Sequence, residues 1–404
     1  MKRNQATKIY LDYSATTPTD RAVLKKMIPY FDCKYGNPSS MHTSGRFANQ
    51  VIGNCRTKIS QLLNCLPSEI IFTGSGTESD NLALIGIARA YRNYGNHIII
   101  SAIEHKAVLE ATSLLKNEGF DISFVSVDKD GLVNLEELKK LINDKTILIS
   151  IMYANNEIGT IQPIRKISDL ISEYRNKKSS EFPFFHTDAC QAGGYLEINT
   201  TDLGVDLMTL NSSKIYGPKG IGILFKKESI RIKPIIVGGE QENNIRAGTE
   251  SLPLMVGLTE ALIISDKIRR KESERLGFLR DYFISKLKEK IPELIVNGHR
   301  VSRLPNNVHV SIPNIEGESM LLMMDKYGIE ASTGSACSSY DLKPSHVLLA
   351  IGQSAEFAHG SIRFSLGRKT KKKDIDYVLS IFPNIVSRLK SISSLTIKKY
   401  EKTK

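Results

Sequence analysis

From about Glu69 onward the chain alternates short β-branched runs with stretches of helical period. Residues 70–72 predict a short strand. Residues 78–94 predict a helix, with Leu84, Ile87 and Tyr91 at helical spacing and Gly95 as its stop. The series continues with strands over 97–101, 122–127, 146–153 and 182–188. Between them lie helices over 105–118, 135–142 and 164–174. This βαβα alternation predicts an α/β fold, with a large domain built on a mostly parallel seven-stranded sheet flanked by helices. Ligands of such sheets sit outside the carboxyl ends of the strands. The pattern changes near Leu254. A long polar helix or helix pair over 260–290, short strands around 307–311 and a closing helix over 373–389 predict a smaller α+β C-terminal domain. The expected division assigns 13–258 to the large domain, and 1–12 with 259–404 to the small one.

A chain of 404 residues is long enough for one large core and one smaller one. Its 41% hydrophobic and 24% charged residues are those of an ordinary globular protein. The net charge of +12 raises the question of nucleic acid. The basic residues are spread along helical segments, however, and thicken mainly in the stretch from Arg368 to Lys373 and in the tail. Neither carries aromatics at a stacking spacing, so no nucleic acid is expected and an acidic protein partner fits better. The longest apolar runs are far too short to span a membrane. The N-terminus has charge without an apolar core, unlike a secretory signal. Five cysteines, an odd number with no C-x-x-C pair, argue against a zinc site and a disulfide framework and for a reducing, cytoplasmic location.

The candidate chemistry gathers at strand ends. Lys214 follows an apolar strand inside the Ser/Gly/Pro turn Asn211-Ser-Ser-Lys214-Ile-Tyr-Gly-Pro-Lys219, with Lys219 as a rival. Twenty-six residues earlier, Phe182-Pro-Phe-Phe-His-Thr-Asp188 ends in a carboxylate. A strand-end Asp and a strand-end Lys suit pyridoxal phosphate, the Lys as Schiff-base former and the Asp as partner of the pyridinium nitrogen. Thr73-Gly-Ser-Gly76-Thr77-Glu-Ser79 lies between a strand and a helix. It reads as a phosphate cup or as a plain helix start capped by Thr77 or Ser79. His105 opens a helix and is either a capping residue or a ring-stacking, proton-moving one. Asn155-Asn156 is a turn, or an amide donor to a phenolic oxygen, a role Gln191 could also fill. Cys337 stands in the small-residue stretch Ser332-Thr-Gly-Ser-Ala-Cys337-Ser-Ser339, which suits an accessible thiolate better than a core position. Arg363 sits in an alternating strand, where a half-buried guanidinium needs an anion: a substrate carboxylate or a structural ion-pair partner.

These pieces together resemble the cysteine desulfurases of the NifS/IscS type, within the class V aminotransferase family of fold type I pyridoxal-phosphate enzymes. The resemblance runs from Ile9-Tyr-Leu-Asp-Tyr-Ser-Ala-Thr-Thr-Pro18 to about Leu389. Its most specific parts include Tyr35-Gly-Asn37-Pro38, Thr77-Glu-Ser-Asp-Asn81, Glu104-His-Lys-Ala-Val108, Asn155-Asn-Glu-Ile-Gly159, Lys214-Ile-Tyr-Gly-Pro-Lys-Gly-Ile-Gly222, Arg246-Ala-Gly-Thr249 and Ser361-Ile-Arg-Phe-Ser365. It implies conversion of L-cysteine to L-alanine, with the sulfur held on Cys337 as a persulfide for a sulfur-acceptor protein in iron–sulfur cluster or thionucleoside assembly. It implies Lys214 rather than Lys219 as the Schiff-base lysine, with proton transfer by Lys214 and His105. Asp188, Gln191, His105, Thr77, Gly76, Asn211 and Ser213 would bind the cofactor, with Thr249 supplied by the other subunit of a homodimer. Asn156, Arg363 and Asn37 would bind substrate. The chain departs from the family in having Asn211-Ser212-Ser213-Lys214 where Ser-Gly-His-Lys is usual, and Asn243 where Arg is common. Alternatives are a selenocysteine lyase or other class V enzyme, and a catalytically lapsed homologue acting as a binding partner.

Overall fold

The computed structural model describes residues 8–334 and 344–392. Its strands, in chain order, are β1 (Ile9–Tyr10), β2 (Ile70–Thr73), β3 (His97–Ser101), β4 (Asp121–Val125), β5 (Thr146–Ser150), β6 (Phe184–Asp188), β7 (Leu207–Asn211), β8 (Gly222–Lys226), β9 (Ile295–Val296), β10 (Asn307–Ser311), β11 (Ile329–Glu330) and β12 (Ser361–Ser365). Seven form one sheet in the order β2-β8-β7-β6-β5-β3-β4. The pairs β3–β4, β3–β5, β5–β6 and β6–β7 are parallel, whereas β8 is antiparallel to both β2 and β7.

Both faces of this sheet are covered, which explains why its strands read as continuous apolar runs. Ile98 and Ile100 join the core beneath the helix Gly76–Tyr91, while Ile99 faces the opposite core with Ile149 and Met208. The sheet's parallel strands β3, β5, β6 and β7 end at Ser101, Ser150, Asp188 and Asn211, and the candidate residues follow those ends.

A separate core surrounds β10 and β12, where Val308, Val310, Ile362 and Phe364 pack with Phe382 of the helix Lys372–Ile392. The N-terminal strand belongs here: β1 pairs with β11, and Ile9 and Leu11 are buried in this core. The long polar stretch is one 39-residue helix, Leu252–Lys290, about 58 Å long at 1.5 Å per residue. Leu258 and Leu262 near its start pack into the sheet's core; Leu276, Phe283 and Leu287 pack into the second. The expected division at 258–259 therefore falls inside a continuous helix.

Two local expectations change. The helix expected to stop at Gly95 ends at Tyr91, and Gly95 has another reason to be glycine: a Cβ there would lie 2.3 Å from the Lys145 carbonyl oxygen. The cap of that helix is Ser75, whose side chain accepts from the Glu78 N–H, instead of Thr77 or Ser79.

Candidate active site

The helix Gly76–Tyr91 starts directly beyond β2, and the N–H groups of its first residues have no partner inside the helix. Gly76 is glycine because space demands it. A Cβ would fall 2.7 Å from Cys190 Sγ and 3.2 Å from Asn211 Cβ. The same Cβ would lie 3.4 Å from Asn211 Nδ2, so the Asn211 amide faces the helix start, while its Oδ1 accepts from the Ser213 N–H at 3.2 Å. Thr77 is exposed at the second helical position. Glu78 braces this end: Oε2 accepts from the Gly74 N–H at 2.8 Å and Oε1 from Arg246 Nε at 2.8 Å. That ion pair ties the start of the helix to the segment carrying Thr249, itself exposed.

Asp188 ends β6, buried, with Oδ1 accepting from the Cys190 N–H at 2.8 Å. Burial of its sulfur, with Asp188 beside it, pushes the Cys190 thiol well above its ordinary range, which disfavours the thiolate. Lys214 lies three residues past the end of β7. Its Nζ donates to the carbonyls of Ser14 at 2.8 Å and Ala15 at 2.6 Å. Gln191 Nε2 donates to the same Ser14 carbonyl at 3.0 Å. Chain segments some 180 and 200 residues apart thus converge on one oxygen. Lys219, the rival, is exposed and turns to the Thr17 carbonyl. Ser213 anchors the turn through its carbonyl, which accepts from the Thr17 N–H at 2.9 Å.

Beneath Asp188 lies a set of buried groups that sequence reasoning passed over. His186 Nδ1 meets Ser150 Oγ at 2.8 Å and its Nε2 meets Thr209 Oγ1 at 3.1 Å; Asp80 Oδ1 stands 3.8 Å from Nε2. Burial pushes His186 down to about 4 and Glu104 up to about 8; burial and the Asp188 charge hold Asp80 well above the usual carboxylate range. The signal available was a histidine and an acid inside otherwise apolar buried segments.

His105 caps the helix Lys106–Asn117, Nδ1 accepting from the Ala107 N–H at 3.1 Å. The capping contact is therefore present, made through Nδ1, with the ring half-buried. Asn155 is fully engaged in its turn: Oδ1 accepts from the N–H groups of Glu157 and Ile158, and Nδ2 donates to the Ile103 carbonyl. The amide-donor reading therefore does not hold for Asn155, while Asn156 beside it is partly exposed. Asn37 is exposed and caps its own turn through the Ser39 N–H at 3.0 Å.

Arg363 is buried, at 2% exposure, where a half-buried residue was expected. Nη2 pairs with Asp12 Oδ1 at 2.9 Å, and Nη1 donates to the carbonyls of Asn156 and Gly334, leaving Nε without a hydrogen-bond partner. The ion-pair alternative is thus present, its anion supplied from 351 residues away. Cys337 lies outside the described residues. No cluster of metal-ligating side chains occurs among those described.

A model of the Aminotransferase class-V family matches residues 9–378. The chain is 47% identical over 385 residues to a "Cysteine desulfurase IscS" from Dictyoglomus turgidum, covering 95% of this chain and 96% of that protein. It is 45% identical over 386 residues to "Cysteine desulfurase IscS 1" from Archaeoglobus fulgidus, covering 96% and 99%. A solved "NifS-like protein" superposes with a TM-score of 0.88 at 36% identity, over 95% of this chain and all of the other.

Proposed function

The chain belongs to the class V aminotransferase family, and from that membership, its near-full-length likeness to cysteine desulfurases and the geometry at Lys214 we infer that it is a pyridoxal-phosphate-dependent cysteine desulfurase. The convergence of Lys214 and Gln191 on the Ser14 carbonyl, beside buried Asp188, carries the assignment.

The residues present fit pyridoxal phosphate. A wall that admits no Cβ at Gly76, an open helix N-terminus with positive potential, the Thr77 hydroxyl and the Asn211 amide suit a phosphate. A buried carboxylate at Asp188 suits a protonated ring nitrogen. Ser213, Gln191 and His105 would complete the contacts, and Thr249 would enter from a second subunit. When bound, the cofactor supplies an electron sink for the charge left at the substrate Cα.

The protein's own groups do the rest. Lys214 Nζ would hold the cofactor at rest and then move the Cα proton, with His105 as second proton carrier. Asn156 and Arg363, whose Nε has no hydrogen-bond partner beside its Asp12 ion pair, would orient the substrate carboxylate, and Asn37 would border it. The Cys337 thiolate attacks the substrate sulfur. A new S–S bond forms, the Cβ–S bond breaks, and its electron pair stays with carbon, which takes up a proton. L-cysteine and a thiol become L-alanine and a persulfide, with no external oxidant. An acceptor protein, for iron–sulfur cluster or thionucleoside assembly, then collects the sulfur. No helix among the described residues is long and apolar enough to cross a membrane, and a cytoplasmic setting suits the thiol chemistry.

The test measures alanine and sulfide from L-cysteine, with and without candidate acceptor proteins, alongside absorbance near the visible band of the bound cofactor. The intact protein is expected to be yellow and active, Lys214→Ala colourless and inactive, and Lys219→Ala close to normal. Cys337→Ala releasing sulfide at full rate with acceptor present would refute the persulfide route.

A further inference from the structure

The carboxylate of Glu157 is 2% exposed, and the mechanism above does not use it. Its main chain is fixed on both sides: the N–H donates to Asn155 Oδ1 at 2.9 Å, and the carbonyl accepts from Asn307 Nδ2 at 2.8 Å. One of its oxygens, Oε2, lies against two places that are far from Glu157 along the chain. It accepts from Ser345 Oγ at 2.5 Å. A Cβ on Gly334 would fall 2.6 Å from the same atom. Gly334 has no unusual φ, so it is glycine because its backbone lies against this carboxylate. Gly334 and Ser345 flank the stretch that carries Cys337.

Further contacts make these flanks firm. Ser332 exchanges both main-chain hydrogen bonds with Arg363, and Arg363 Nη1 donates to the Gly334 carbonyl at 2.8 Å. On the other side, Ser345 caps the helix His346–Ala350, whose His346 Nε2 meets the Glu104 carbonyl at 2.9 Å. Val347 and Leu348 of that helix are buried with Ile103, Met152 and Ile158. Ile158 adjoins Glu157, so the same turn supplies both the hydrogen-bond acceptor and the apolar seat. The preceding residue, Asn156, is the proposed contact to the substrate carboxylate.

We propose that Glu157 is a positioning residue for sulfur transfer: through Ser345 Oγ and Gly334 it holds the two described residues on either side of Cys337 in the sequence, relative to the turn that presents Asn156 to substrate. The inference rests on the desulfurase reading. A thiol reacts at a rate set by how often it meets the substrate sulfur in line, and misplacement by about 1 Å costs on the order of a hundredfold. Loss of one anchor at Gly334 or Ser345 should therefore slow transfer to Cys337 and leave substrate binding alone.

The experiment compares Ser345→Ala, Gly334→Ala and Glu157→Gln with the unaltered holoenzyme. Persulfide on Cys337 in the first turnover is measured by rapid quenching, alkylation and peptide mass spectrometry. Substrate binding is read separately, from the absorbance change on adding L-cysteine and its half-saturating concentration. Alkylation of Cys337 by iodoacetamide without substrate reports its placement independently of turnover. Ser345→Ala and Gly334→Ala are expected to slow persulfide formation about tenfold, with half-saturation within about twofold and a changed alkylation rate. Glu157→Gln keeps an oxygen for Ser345 Oγ and should stay within about threefold. Normal persulfide and alkylation rates in Ser345→Ala overturn the inference. So does a parallel loss of substrate binding and thermal stability, which marks a structural role. Unaltered protein that forms no persulfide on Cys337 overturns the desulfurase reading and this inference together.

Discussion

Replacing Gly76 by alanine puts a methyl group 2.7 Å from Cys190 Sγ and 3.2 Å from Asn211 Cβ. The first distance is about 1 Å inside an ordinary contact between heavy atoms, so something has to move. Cys190 has little room, because its N–H is held by Asp188 Oδ1 at 2.8 Å. Relief must come from the helix start backing away from β6 and β7, which carries the proposed phosphate-binding N–H groups with it. Overpacking of this size costs about 1–3 kcal/mol. If half of that falls on the cofactor-bound state, affinity drops about two- to twelvefold, since 1.4 kcal/mol is a factor of ten. The assay titrates apoprotein with pyridoxal phosphate and follows the visible absorbance, with the thermal midpoint measured on the same samples. Cys190→Ala removes the sulfur that the methyl meets. The double variant Gly76→Ala/Cys190→Ala is therefore expected to recover more than half of the lost affinity, a coupling of about 1 kcal/mol. Strictly additive losses, or a Gly76→Ala protein that binds cofactor normally, would refute the reasoning that this wall is shaped for a phosphate.

The buried groups beneath Asp188 give a pH signature. Glu104, raised to about 8, keeps its proton in the folded state where the unfolded chain has lost it, so its contribution falls as pH rises from about 4.5 to 8. His186, lowered to about 4, works in the opposite direction between about 4 and 6.5, where stability rises with pH. The His186 and Glu104 slopes offset each other below about pH 6.5, and Asp80, also held high, adds to the decline as pH rises; Glu104→Gln should remove about 2 kcal/mol of the decline between pH 6.5 and 8, and an unchanged slope in urea unfolding would count against it. Asp12→Asn leaves the Arg363 charge, 2% exposed, without its anion, and should cost about 3 kcal/mol by urea midpoint; a loss under about 1 kcal/mol would show that other groups carry that charge. Ser213→His restores the family's usual residue beside Lys214 and should tighten cofactor retention about fivefold, one hydrogen bond's worth; a dissociation constant that does not tighten would show that Ser213 already fills the role.

Much of the site was legible because it sits where pattern and chemistry coincide. Asp188 and Lys214 stand out as polar residues closing apolar strands, and the small-residue run at Gly76 announces a close approach of backbone. Asn211 and Ser213 were visible only by likeness to relatives. For the Asn155 amide the turn and the ligand contact stayed open because both use the same residues, and only the hydrogen-bond partners, which favour the turn, tell them apart. Glu157 carried no signal beyond its motif, since its partners are an adjacent backbone and a hydroxyl 188 residues away.

The sequence by itself determined the alternation of strands and helices, the strand-end placement of the lysine and the carboxylate, and the covering of the sheet on both faces. These follow from period and burial, which are local properties of a chain. Tertiary structure decided which strands are neighbours, with β8 inserted antiparallel between β2 and β7. It decided that one helix serves two cores, and that Ser14 and Ala15 meet Lys214 across some 200 residues. It also decided that Asp12 neutralises Arg363 across 351 residues. Such pairings have no local period. They are chosen because each buried donor or charge must find a partner, and the partner available depends on how the whole chain has packed.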